Sequence, residues 1–140
     1  MIDVDKYIGI PYKHNGRKLE DGLDCWGLVL AIYKELDITI PVSDGTGEID
    51  PYWYKKEPDR YWRFLQQLGD PVNLDQLQSM DIVYFALIDG TIISHAGVML
   101  DQNRFIHTLQ RRNCRVNRMD RFWRKKFCGA RRLTKVNYVV

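Results

Sequence analysis

Leu23-Asp24-Cys25-Trp26-Gly27-Leu28-Val29-Leu30-Ala31-Ile32-Tyr33-Lys34-Glu35-Leu36 is the first clear element of the chain. Apolar residues at 25, 26, 28, 29, 30, 32, 33 and 36 repeat at helical spacings of three and four. Asp24 stands where an N-cap belongs, and Asp37 follows the last periodic position. The pattern predicts a helix over Cys25–Leu36. Its apolar surface is too broad for one stripe, so the helix should be central, with other elements packed on most sides.

Outward from this helix the chain is less regular. Tyr7 to Tyr12 reads as an approach, and Lys13 to Leu23 as a polar loop. Ile38 to Asp59 carries prolines at 41, 51 and 58 and the turn-rich Asp44-Gly45-Thr46-Gly47, so it should be mostly irregular. Arg60 to Leu68 offers a short amphipathic helix with Tyr61, Phe64, Leu65 and Leu68 on one side, stopped by Gly69-Asp70-Pro71. From Asp81 the period changes. Ile82 to Leu87 is a β-rich run ending at the turn signal Asp89-Gly90. Ile92 to Leu100 and Arg104 to Leu109 follow as strands, joined by the short polar Asp101-Gln102-Asn103. Residues 114–117 and 130–139 could add further strands. A helix first and an antiparallel sheet afterwards define an α+β class.

The 140 residues suit one domain, 1–140, and 45% hydrophobic with 28% charged residues is a globular composition. No run approaches the ~18 apolar residues needed to cross a bilayer. The start, Met1-Ile2-Asp3-Val4-Asp5, is acidic and lacks an apolar h-region, so no signal peptide is expected. Three cysteines, an odd number, do not make a disulfide framework, and no CxxC or HxxxH spacing suggests a metal. Neither metal nor cofactor is expected. Charge is divided: residues 1–103 hold 9 Lys and Arg against 17 Asp and Glu, whereas residues 104–140 hold 12 against 1. Such a basic segment suits an anionic wall polymer, an acidic partner protein or simply a solvated face. No nucleic-acid-binding motif accompanies it, so nucleic acid is not an expected partner.

Cys25 is the first residue of the predicted helix, where backbone N–H groups and the helix dipole favour a thiolate. Burial beside Trp26, Leu28 and Val29 opposes that, and the sequence leaves the balance open. A nucleophilic thiol also needs a base. Of the three histidines, His14 lies in the loop, His95 among small residues in Ser94-His95-Ala96-Gly97, and His107 on the next strand. A three-residue hairpin loop at 101–103 pairs Leu100 with Arg104. His107 then opposes Gly97 and His95 opposes Leu109, which makes the two imidazoles diagonal neighbours on one face, roughly 7–8 Å apart at the backbone. A two-residue loop would turn them to opposite faces. Under the first register Cys25 is nucleophile, His95 base and His107 the residue that orients His95. The plainer alternative makes both histidines ordinary strand residues and Cys25 core.

Tyr7-Ile8-Gly9-Ile10-Pro11-Tyr12, then Leu23 to Val29, then Ser94 to Val98, then Phe105-Ile106-His107, in that order, resemble the motifs of the NlpC family. These are papain-like cysteine peptidases that cut peptidoglycan stem peptides. The form Asp-Cys-Trp-Gly-Leu-Val, with Asp81-Ile82-Val83 ahead of the histidine strand, is most similar to the branch encoded with phage tail genes. The resemblance implies a papain-like fold, a Cys25–His95–His107 triad, a Tyr12 hydroxyl near the oxyanion and an Asp24 that in some relatives holds the amine of the stem peptide. Trp26 stands where relatives often have serine, so the bond cut is left open. The resemblance also implies phage tail-tip proteins as partners, reached through the basic segment, and a place in the virion tail or the cytoplasm. Two rivals stay open: a non-catalytic tail-assembly protein on the same fold, and an amidase or acyltransferase of the same superfamily. Tyr52, Trp53, Tyr54 and Trp62 suit either a binding groove or ordinary packing. Cys114 and Cys128 lack a histidine motif and read as structural or incidental.

Overall fold

The computed structural model describes residues 2–41, 52–88 and 90–133. Asp44-Gly45-Thr46-Gly47, Pro51, the Asp89 half of the expected turn and residues 134–139 of the expected last strand lie outside the described residues.

Asp24 starts the central helix as its sequence predicts. Its carboxylate oxygen accepts the Gly27 N–H at 2.7 Å, and helix α1 runs Cys25–Glu35. Leu28, Val29, Ile32 and Tyr33 are buried on it, and Trp26 packs edge-on against Phe64 of α3 (Arg60–Leu65) with ring centres 5.0 Å apart. The expected polar loop before α1 contains a small hairpin, β1 (Arg17–Lys18) and β2 (Gly22–Leu23). A Cβ on Gly27 would overlap the Gly16 carbonyl oxygen of this segment, so glycine lets loop and helix tip close together.

A short helix α2 (Trp53–Lys56) precedes α3. The main sheet follows: β3 (Asp70–Val72), β4 (Ile82–Phe85), β5 (His95–Met99), β6 (Arg104–Leu109), β7 (Arg112–Arg118) and β8 (Phe127–Arg132). Its order is β3-β8-β4-β5-β6-β7, and every neighbouring pair is antiparallel. β4 and β5 are buried at every position because both faces of the sheet are covered. On one side α1 meets Ile82, Ala96, Val98 and Ile106. On the other, Val83, Phe85, Met99 and Phe105 pack with Trp123 of α4 (Arg121–Lys126), a helix capped by Asp120 that sequence periodicity does not reveal.

The expected strand Ile92–Leu100 is shorter than its apolar run, and the helix at Arg60 ends at Leu65, although Leu68 stays in the core. Asp81 closes the sheet from below. It is buried, and both its oxygens accept from the Arg132 guanidinium at 2.9 Å. Among the described residues no helix is long and apolar enough to cross a membrane.

Candidate active site

The β5–β6 hairpin carries the register that the three-residue loop requires. Val98 pairs with Ile106 and Met99 with Phe105. Asp101 organises the turn, its Oδ1 accepting the N–H groups of Asn103 and Arg104, each at 2.8 Å. His95 and His107 consequently share a face, and His95 Nε2 is hydrogen-bonded to His107 Nδ1 at 2.8 Å. The contact leaves Nδ1 as the ring nitrogen of His95 not engaged by His107. Gly97 lies directly across from His107, and a Cβ there would crowd the His107 Cβ and the Ile106 carbonyl.

Cys25 lines the same cleft as His95. The cleft has a volume of about 520 Å³, and Tyr12, His14, Ser94 and Thr108 also face it. The backbone N–H groups of Ala96, the residue after His95, and of Trp26 favour the ionised form of the Cys25 sulfur. A larger hollow of about 710 Å³ between the N-terminal segment and α1 has neither thiol nor imidazole in its lining.

Burial governs the electrostatics. Loss of water pushes the Cys25 thiol up to about 12, helped by the Asp24 carboxylate; the Ala96 N–H, Arg17 and the Trp26 N–H oppose it without prevailing. In the contest between helix tip and burial, burial is the larger effect and favours the neutral thiol. Burial likewise depresses His95 well below its usual range, with His107 adding to it. His107 falls to about 4: desolvation dominates, its bond to Asn117 raises it, and Arg115 lowers it. An aromatic box surrounds the pair. Trp123 sits 4.9 Å from His107 and 6.0 Å from His95 between ring centres, and Phe85 and Phe105 complete it.

Tyr12 is half-buried in the cleft wall, and its hydroxyl is raised by desolvation, then by Cys25 and Asp24. Asp24 is buried at the helix tip with its oxygens already engaged. Oδ1 accepts from Gly27 N–H and from Arg17, both at 2.7 Å, and Oδ2 accepts the Asn15 N–H at 3.1 Å. Trp26 points away from the cleft. Its indole N–H donates to the Pro41 carbonyl at 2.9 Å, so the position where relatives often have serine belongs here to the core. His14 is an exposed loop residue as expected, yet it reaches the cleft rim. Cys114 is buried and Cys128 exposed; both are free thiols. Among the described residues no three His, Cys, Asp or Glu side chains group to hold a metal.

Several contributors escape the sequence reading. Asn117 Oδ1 lies 2.7 Å from His107 Nε2, which extends the imidazole pair across a third strand. Tyr61 is influenced electrostatically by Cys25, Asp24 and Tyr12, and its ring packs on Trp53 with centres 4.9 Å apart. Trp53 is buried, Tyr52 is largely exposed, and both, with Tyr54, form one wall of the cleft; Trp62 sits on the exposed side of α3.

Comparison with known proteins identifies the family. Residues 9–132 match the NlpC/P60 family. The chain belongs to that family. It is 29% identical over 132 residues to the gamma-DL-glutamyl hydrolase of Bacillus subtilis (strain 168), covering 93% of this chain and 28% of that protein. It is 25% identical to the probable endopeptidase NlpC of Escherichia coli (strain K12), covering 93% of this chain and 73% of that one. Among solved structures, an NlpC/P60 family protein from Bacillus cereus ATCC 10987 superposes with a TM-score of 0.67 at 25% identity, over 90% of this chain and 36% of that chain. The NlpC/p60 domain of the peptidoglycan hydrolase SagA, at 18% identity, shares the fold with a TM-score of 0.61 over 93% of this chain and 92% of that chain. The α+β fold of this chain is therefore the papain-like fold of NlpC/P60 domains.

Proposed function

We propose that this NlpC/P60 chain is a cysteine endopeptidase that hydrolyses amide bonds in peptidoglycan stem peptides, with Cys25, His95 and His107 as its triad. The observation that carries the reading is the single cleft faced by Cys25 and by a His95 whose Nε2 is already held by His107. The names of the relatives, endopeptidases and hydrolases of wall or γ-glutamyl peptides, support the substrate class.

Burial favours the neutral thiol and the neutral imidazole, so the attack is written with His95 as the base. His95 Nδ1 takes the Cys25 proton as the sulfur attacks the amide carbonyl, and returns it to the leaving amine when the C–N bond breaks. Water, activated by the same ring, then releases the acyl group and regenerates the thiol. The Cys25 N–H at the start of α1 and the Tyr12 hydroxyl stabilise the oxyanion. Asp24 acts mainly by capping α1 and holding Arg17, which fixes the position of the sulfur.

The exposed arginines of β7 (Arg112, Arg115 and Arg118), with Arg121, Arg124 and Lys125 of α4, support docking to an acidic partner; the partner we assign is a phage tail-tip protein, with the virion tail as the working location. Turbidity loss and muropeptide release from purified sacculi test the catalytic reading. Wild type should release cleaved stem peptides and Cys25→Ala should release none; equal activity in both would overturn the assignment. A new sugar–peptide cleavage product, or a transferred acyl group, would redirect it to an amidase or acyltransferase.

A further inference from the structure

We infer that Asn117 is a positioning residue that sets the proton direction of the imidazole chain, so that His95 presents a bare Nδ1 to the cleft. The inference rests on the proposed triad and identifies what makes its base competent.

The three side chains lie diagonally across β5, β6 and β7. His107 sits between His95, bonded through Nδ1 at 2.8 Å, and Asn117, bonded through Nε2 at 2.7 Å. The Asn117 atom facing the ring is the carbonyl oxygen, which only accepts. His107 Nε2 must therefore carry the proton and donate it. A neutral imidazole has one N–H, so His107 Nδ1 is the acceptor, and His95 Nε2 must be the donor. The single proton of neutral His95 is then used on Nε2, and Nδ1 keeps its lone pair. Turning the amide over would reverse every bond in the chain. His95 would then carry its proton on Nδ1 and have no lone pair with which to take a proton from Cys25.

The chain keeps its direction only while His107 is neutral, since a cationic His107 donates from both nitrogens. The surroundings hold it neutral. His95 from β5 and Arg115 from β7 are the titratable and charged groups facing it; α4 contributes the uncharged Trp123 ring and β6 the Phe105 ring. His107 is fully buried.

Two variants and two readouts test the inference. Asn117→Asp keeps the shape and presents an atom that can only accept; Asn117→Leu removes the acceptor. Ring nitrogen-15 shifts of free wild-type protein should show His95 protonated on Nε2 and bare on Nδ1, with Asn117→Asp the same at pH 8 and Asn117→Leu mixed. Stem-peptide cleavage should fall about tenfold or more in Asn117→Leu and be largely rescued at pH 8 by Asn117→Asp. The added carboxylate should also raise His107, so Asn117→Asp should lose rate on acidification at a higher pH than wild type. A wild-type His95 protonated on Nδ1, or Asn117→Asp as impaired as Asn117→Leu at pH 8, would overturn the inference. Should wild type cleave no stem peptide, the proposed function fails, while the nitrogen shifts still decide the direction of the chain.

Discussion

Acidification should destabilise this protein through its paired imidazoles. In an unfolded chain His107 titrates at its ordinary value of 6.5, whereas in the fold it is held down to about 4. The depressed value means that between these limits the unfolded state binds a proton that the native state refuses. Stability is then fully present above pH 6.5 and is lost as pH falls toward 4. Each pH unit of that window is worth about 1.4 kcal/mol, so His107 alone accounts for a loss of about 3 kcal/mol. His95, depressed in the same direction, adds to it. Against a total stability of order 5–15 kcal/mol this is a large fraction. Urea unfolding at half-unit steps from pH 7.5 to 4.5 measures the slope directly. His107→Gln should flatten it, and His95→Gln/His107→Gln should flatten it further, whatever the variants cost at pH 7.5. A wild-type stability that stays level from pH 7 to 5, or a double variant with the wild-type slope, would refute the reasoning.

Three further predictions concern the frame around the site. Gly27→Ala drives a methyl into the Gly16 carbonyl and should cost about 2 kcal/mol or more in urea unfolding, despite the better helix propensity of alanine. Arg132→Met leaves the buried Asp81 carboxylate with the Gln78 N–H but without its two-pronged partner; a loss of about 2 kcal/mol is expected, smaller than for a fully buried pair because Arg132 is partly exposed, and Asp81→Asn in the same background should recover part of it. Trp26→Phe strands the Pro41 carbonyl and should cost about 1 kcal/mol by the same assay, while iodoacetamide labelling of Cys25 keeps its wild-type pH dependence because the indole faces the core.

The elements that were legible in the sequence are those fixed by local chemistry. Asp24 ahead of a broad apolar run marks the tip of α1, and Asp101-Gln102-Asn103 marks a short hairpin connection; its odd count, which puts His95 and His107 on one face, is set by the turn that Asp101 organises. Asn117 was not legible for the same reason inverted. Leu109 pairs with Arg112, and continuing that register would set His107 against Cys114 and turn Asn117 to the opposite face. An irregularity between His107 and Leu109 shifts the pairing by one, sets His107 against Arg115 and brings Asn117 to the imidazole side. No residue type in that stretch announces a bulge. Helix α4 is not legible because Arg-Phe-Trp-Arg-Lys-Lys is too short for periodicity, even though Asp120 caps it. The balance between the helix tip and burial at Cys25 required the packing itself. Trp26, read from likeness as a specificity question, is a core residue once the position of Phe64 is known.

The thiolate absorbance of wild type minus Cys25→Ala, followed from pH 6 to 10.5, tests most directly that the sulfur rests as a neutral thiol and depends on His95 for activation. With the thiol held at about 12, the difference signal should stay flat through neutral pH and begin to rise only near the alkaline end. A full step centred near pH 7 would contradict the account, because the sulfur would then be ionised before any base acted on it.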